Sequence, residues 1–78
     1  MRTRSEKWVT AFATTAAALA MEAACKEAGL PGRLIPTPRS ISAGCGLCWA
    51  GPLESREALE ALIVEKRLEV TGIYHVLL

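Results

Sequence analysis

The chain lacks both a long apolar run and an excess of charge of either sign. Nine Lys and Arg residues stand against eight Asp and Glu, for a net charge of +1. No stretch approaches the roughly 20 consecutive apolar residues that a membrane-spanning helix needs. The basic residues do not cluster, apart from Arg2 and Arg4 at the N-terminus, so no nucleic-acid-binding patch is expected. The composition argues against membrane insertion and against nucleic-acid binding.

Histidine and phosphate-binding motifs are also scarce. His75 is the only histidine, and a structural zinc site needs four donors. One chain therefore lacks a full ligand set, although two chains could share Cys45 and Cys48. The sequence contains neither a Walker motif nor a dinucleotide-binding fingerprint. We expect no metal and no cofactor.

Cysteine is present in an odd number, three, which rules out a fully paired disulfide framework within one chain. Reduced thiols in a cytoplasmic protein fit this number better. The first 21 residues imitate a secretory signal peptide. Glu6 within the basic start and a weakly hydrophobic middle of alanine and threonine argue against that interpretation. The expected location is cytoplasmic.

A length of 78 residues allows one domain, and we expect residues 1–78 to form it, with residues 1–6 as a disordered tail. Hydrophobic residues make up 51% of the chain, which is high for a solvated monomer of this size. Small domains commonly supplement a limited core by association. The chain is therefore expected to be a homo-oligomer.

The pattern of apolar residues and turn signals predicts the element order β-α-β-β-α-β. The predicted strands are Lys7–Ala13, Gly32–Pro36, Gly46–Ala50 and Glu69–Leu77, and the predicted helices are Ala16–Ala28 and Ser55–Arg67. Candidate helix caps are Thr14-Thr15, Gly29 and Ser55. Two right-handed crossovers give an α+β, ferredoxin-like fold, with a four-stranded antiparallel sheet and two helices on one face. The other sheet face is expected to expose apolar side chains and to need a partner.

The first helix should bury one stripe of small and apolar residues. That stripe is drawn through Ala17, Met21, Ala24, Cys25 and Ala28. Cys25 is accordingly expected to be a core residue. In the second helix, Leu59, Leu62 and Ile63 are expected to face inward.

The segment from Ile35 to Cys48 holds two of the three cysteines and two of the four prolines. Proline restricts φ and glycine widens it, so this composition specifies a particular backbone path toward Cys45, which Gly44 and Gly46 flank. A thiol near a cation and exposed N–H groups ionises more readily than free cysteine, whose pKa is about 8.5. Cys45 is therefore a candidate nucleophile. The alternative is a small buried residue in a tight turn.

Neighbouring residues extend the candidate site. Cys48 completes a C-x-x-C spacing and is either a second, resolving thiol or a structural strand residue. Polar side chains beside Cys45 could cradle an anion or a substrate together with loop N–H groups, or could simply face solvent. These candidate binding residues are Thr37, Arg39, Ser40, Ser42, Gly44 and Gly46. His75 would serve as a catalytic partner only beside Cys45, and otherwise is a strand-edge histidine.

The pattern Leu-Ile-Pro-Thr-Pro-Arg-x-Ile-Ser-x-x-Cys-Gly, from Leu34 to Gly46, resembles the selenium/sulfur carrier-like protein family. The Thr14-Thr15 start of the first helix, its end at Lys26–Gly29, and Gly72-Ile73-Tyr74 in the last strand are similar too. The resemblance implies that Cys45 accepts sulfur or selenium from a donor protein, such as a cysteine desulfurase, as a persulfide or selenosulfide. It also implies delivery to an acceptor protein. Cys48 is not part of the family's Cys-Gly pair.

A second function class stays open on the residues alone. The chain could be a non-catalytic ferredoxin-like dimer that binds a protein partner or a small anion, with incidental cysteines. The placement of Cys45 between two glycines, after a Pro-Thr-Pro-Arg turn, favours the carrier because a purely structural module does not require it.

Overall fold

A computed structural model describes residues 6–41 and 46–77. It contains four strands, two helices and a 3-10 turn in the predicted order. These elements are β1 (Glu6–Ala11), α1 (Thr15–Ala28), β2 (Arg33–Pro36), β3 (Leu47–Pro52), a 3-10 turn (Leu53–Ser55), α2 (Arg56–Lys66) and β4 (Gly72–Leu77). No helix among the described residues has the length and apolarity needed to cross a membrane.

The four strands form one antiparallel sheet in the order β2-β3-β1-β4. The central strand β1 pairs with β3, where Ala11 lies opposite Cys48, and with β4, where Trp8 lies opposite His75. Each helix connects two strands that are not neighbours in this sheet, as two crossovers require. The prediction of a ferredoxin-like α+β fold is confirmed.

The ends of α1 follow the predicted capping chemistry. Thr14 has extended backbone angles, and its Oγ1 accepts a hydrogen bond from Ala17 N–H at 3.1 Å, which satisfies one of the free N–H groups of the first turn. Gly29 ends the helix at φ +74, where its N–H donates to the Cys25 and Lys26 carbonyls. The Ser55 side chain, by contrast, makes no capping hydrogen bond to α2.

Several strand boundaries differ from the predicted ones. β1 begins at Glu6, a residue expected in the tail, and ends at Ala11 rather than Ala13, because the chain must leave the sheet before the Thr14 cap. β4 begins at Gly72 rather than Glu69. β3 continues to Pro52 because Gly51 and Pro52 still lie opposite residues of β1.

One core lies between the sheet and the two helices. Its buried residues are Phe12, Ala18, Met21, Cys25, Trp49, Leu59 and Leu62. The predicted stripe of α1 is right at Met21 and Cys25 but wrong at Ala28, which is exposed, while Ala18 is buried instead. Ala28 lies in the last helical turn and lines an open groove between α1 and α2, so it does not reach the sheet.

A second, smaller core covers the opposite face of the sheet. Val9 and Ala11 of β1 are buried there with Cys48 and Ala50 of β3. Ile41, from the segment that follows β2, packs against them and is itself buried. The expectation of an uncovered apolar face is therefore wrong for the middle of the sheet, where Ile41 of the same chain packs over the strands.

Candidate functional site

The candidate site lies in the connection between β2 and β3. These strands are antiparallel neighbours, and Pro36 lies opposite Leu47 at the end of their ladder. One residue further out, Thr37 N–H donates to the Gly46 carbonyl at 3.0 Å. The two ends of the connection are therefore joined by a backbone hydrogen bond.

Gly46 adopts φ +75, a conformation that glycine enters without a steric penalty. It is exposed, and a Cβ added there would have no atom within 4 Å. Glycine is therefore favoured at position 46 by the backbone angle, and not by a lack of space for a side chain. The residue directly after Cys45 lies at an open surface.

Cys48 occupies the first buried position of β3. Its side chain is 0% exposed and packs in the core opposite the helices. The Cys48 Sγ–H donates to Thr37 Oγ1 across 3.5 Å, a distance suited to a sulfur donor. The structure therefore shows Cys48 as a buried, hydrogen-bonded thiol.

Arg39 and Ser40 lie at the tip of a tight turn. Ile41 N–H donates to the Pro38 carbonyl at 3.0 Å, which closes a four-residue turn around them. Both side chains are exposed, whereas Ile41 points into the core. The turn therefore presents a guanidinium and a hydroxyl to solvent on the outer side of the connection.

The predicted site residues thus fall into three groups. Arg39, Ser40 and Gly46 are at the surface, and Thr37 is half-buried against Cys48. The remaining candidates, Ser42, Gly44 and Cys45, lie outside the described residues. The structure brings Thr37 into direct contact with both Gly46 and Cys48.

Cys25 lies in the other core, between α1 and the sheet, as predicted. It is 0% exposed, and burial raises the pKa of its thiol above that of a free cysteine because the charged thiolate would lose its hydration. The two described cysteines are therefore both buried, but on opposite sides of the sheet.

His75 lies on the edge strand β4, and β1 separates this strand from β3. Its Nε2 is 3.0 Å from Glu6 Oε1, and its ring lies 5.2 Å from the Trp8 ring. His75 lies opposite Trp8 on β1, and Trp8 lies opposite Gly51 on β3. Gly51 is near the far end of β3 from Gly46, so His75 is distant from the Thr37–Gly46 hydrogen bond. Within the described chain, His75 does not contact the candidate site.

No group of three or more His, Cys, Asp or Glu side chains among residues 6–41 and 46–77 could hold a metal ion. The described part of the site consists of hydroxyl, thiol and guanidinium groups. These can donate hydrogen bonds and bind anions.

Sequence reasoning missed the contact between Thr37 and Cys48. The available signal was the antiparallel pairing of β2 with β3. Once Cys48 lies opposite Ile35, the residue two positions after Ile35 is a diagonal neighbour on the same face. Sequence reasoning also missed the burial of Ile41, for which the local sequence carried no comparable signal.

A ferredoxin-like domain with a cysteine-bearing connection between its second and third strands defines the class of this protein. The model of the family described as "Putative Se/S carrier protein-like" matches residues 7–75, and the chain belongs to this family. The resemblance noted from the Leu34–Gly46 pattern is thereby confirmed. Neither a curated protein nor a solved structure matches the chain.

Proposed function

We propose that the protein carries sulfur or selenium on Cys45, as a persulfide or a selenosulfide. The observation that supports this choice of residue is the burial of the other two thiols. Cys25 and Cys48 are both 0% exposed, on opposite faces of the sheet, so neither offers a sulfur that a donor can reach. Cys45 is the third cysteine of a chain that belongs to a family named for carrying these elements.

Loading requires a Cys45 thiolate, because the thiolate is the nucleophilic form of cysteine. It attacks the outer sulfur of a donor persulfide, and the sulfur–sulfur bond of the donor breaks. The electron pair of that bond leaves with the donor thiolate, and a new sulfur–sulfur bond forms on Cys45. Oxidation levels balance, since one persulfide is consumed and one is formed.

The exposed turn at Arg39 and Ser40 supports this proposal chemically. A guanidinium is always charged at physiological pH and favours nearby anions, among them thiolates and persulfide anions. We assign substrate contacts to Arg39 and Ser40, with Thr37, Ser42 and the backbone at Gly44 and Gly46 completing the site. A reducing, cytoplasmic setting would keep the three thiols free.

The partners in this scheme are proteins. A sulfur or selenium donor, such as a cysteine desulfurase, would load the chain, and an acceptor protein would unload it. We also propose a second copy of the chain as a partner. β4 lies at one edge of the sheet, where a strand of another chain could pair with its backbone, and Tyr74 and Leu77, which are 40% and 55% exposed, would be covered by that pairing.

Mass spectrometry of the intact protein after incubation with glutathione persulfide tests the carrier proposal. The wild-type chain should gain the mass of one sulfur atom, and a reducing agent should remove it. Cys45→Ser should abolish this gain while leaving the circular dichroism spectrum unchanged, because serine is nearly isosteric with cysteine. Cys25→Ser is the matched control for a buried thiol and should load normally.

Cys48→Ser should weaken loading without abolishing it, because a hydroxyl buried in this core disturbs the packing of β3 but removes no sulfur that reacts with the donor. Normal loading of Cys45→Ser would refute the carrier proposal. The non-catalytic module that binds a protein partner or a small anion would then be the better account.

A further inference from the structure

We propose that Thr37 is a positioning residue that keeps the Cys48 thiol out of sulfur exchange, so that the acceptor must supply the nucleophile that unloads Cys45. This inference rests on the proposed function and identifies the kind of partner it needs. It concerns a contact between two described residues, Thr37 and Cys48.

Thr37 makes two different bonds to the β3 side of the connection. Its backbone N–H donates to the Gly46 carbonyl at 3.0 Å, and its side-chain Oγ1 accepts from Cys48 Sγ at 3.5 Å. The first bond fixes the position of the Thr37 backbone. The Thr37 hydroxyl is therefore held close to the Cys48 thiol. The second bond uses the proton that Cys48 would have to lose before it could react.

Cys48 is also enclosed on its other sides. Ala11 lies opposite it on β1 and Ile35 opposite it on β2. Ile41 packs in the same buried cluster. Because Cys48 is 0% exposed, a reagent from solvent can reach its sulfur only if this cover opens.

The reaction that this arrangement prevents is an intramolecular one. A Cys48 thiolate could attack the Cys45 sulfur of a Cys45 persulfide, which would break the persulfide bond. A Cys45–Cys48 disulfide would form, and hydrosulfide would leave with the electron pair. The carried sulfur would then be lost rather than delivered.

Because Cys48 does not react, the Cys45 persulfide persists until a nucleophile from another molecule attacks it. An acceptor thiolate or selenolate attacks the outer sulfur, takes it, and leaves Cys45 as a thiolate. The acceptor partner is therefore expected to present a reactive cysteine or selenocysteine of its own, or a small thiol compound as cosubstrate.

Alkylation of the native protein with iodoacetamide, followed by peptide mass spectrometry, measures how often Cys48 becomes accessible. Cys25 is the internal reference because it is equally buried but lies in the other core. Global unfolding exposes both thiols, whereas a local opening over Cys48 raises only the Cys48 rate. The ratio of the two rates isolates the local event.

Thr37→Val keeps the shape of the side chain and removes the hydroxyl, and Thr37→Ser keeps the hydroxyl. We expect Thr37→Val to raise the Cys48 to Cys25 ratio about three- to tenfold, the effect of losing one hydrogen bond. Thr37→Ser should stay within about twofold of the wild type. Equal ratios in all three proteins, or fast Cys48 alkylation in the wild type, would overturn the proposal.

The persulfide-loaded protein supplies the second readout. In the wild type, no Cys45–Cys48 disulfide should form during storage, and added glutathione should remove the sulfur. Formation of that disulfide in the loaded wild type would also overturn the proposal. A chain that never loads would instead refute the proposed function, while the alkylation ratios would still decide the role of Thr37.

Discussion

Replacement of Gly32 by alanine should be among the most damaging small substitutions in the described chain. Gly32 lies directly before β2 and has φ +144, a backbone conformation that L residues rarely adopt. A Cβ placed there would lie 2.7 Å from the Ala50 carbonyl oxygen and 2.7 Å from two atoms of the Trp49 indole. The backbone and the space around it both exclude a side chain.

The size of the effect follows from these two contributions. A residue held in such a strained conformation costs of order 1–3 kcal/mol. Overpacking a closed site costs about another 1–3 kcal/mol, and here neither neighbour can retreat easily, since one is backbone and Trp49 is only 2% exposed. We expect Gly32→Ala to lower the free energy of unfolding by roughly 2–6 kcal/mol, out of a total of about 5–15 kcal/mol for a small domain.

Urea denaturation followed by Trp fluorescence measures this loss, and Gly29→Ala is the matched control. Gly29 has φ +74 but no atom within 4 Å of the added Cβ, so it carries the conformational cost without the steric one. The control should lose only about 1–2 kcal/mol, the cost of an L residue in the left-handed region. Equal losses in the two variants would show that the close approach of Gly32 to Trp49 is not as tight as described, and would refute the reasoning.

Two further predictions concern the buried thiol and association. Because burial raises the Cys25 pKa, the stability that the buried thiol contributes should be complete below the pKa of the unfolded thiol and should decline as the pH rises from there through the pKa of the folded thiol. Cys25→Ala should lack this decline, and parallel pH slopes for wild type and variant in urea unfolding would contradict it. Analytical ultracentrifugation at micromolar concentration should show a homo-oligomer that Tyr74→Lys weakens. A wild-type monomer would exclude the proposed association through β4.

The order of the elements could be predicted from the sequence because its signals are local. Thr14 and Gly29 mark the ends of α1 by hydrogen bonding and backbone conformation, which depend on a few adjacent residues. The handedness of β-α-β crossovers then limits how the four strands can be arranged. The ferredoxin-like arrangement followed from these rules, and the burial of Met21 and Cys25 followed from helical periodicity.

The candidate site was only partly predictable. The pattern from Leu34 to Gly46 indicated the family, and a family model matching residues 7–75 confirmed it. The composition of the segment singled out Cys45 as the reactive thiol, and that remains a prediction because Cys45 lies outside the described residues.

Other features depended on how distant segments meet. The hydroxyl of Thr37 reaches the thiol of Cys48 only because β2 and β3 pair in one particular register. Ile41 is buried because its turn carries it onto the sheet face opposite the helices. No local propensity encodes that path.

The sequence by itself therefore determined the family, the order of strands and helices, and the thiol proposed to carry sulfur. Tertiary structure alone decided that Cys48 is enclosed and that the middle of the second sheet face is covered by the chain itself. The physical reason is that capping and periodicity act over a few residues, whereas burial depends on which surfaces meet after folding.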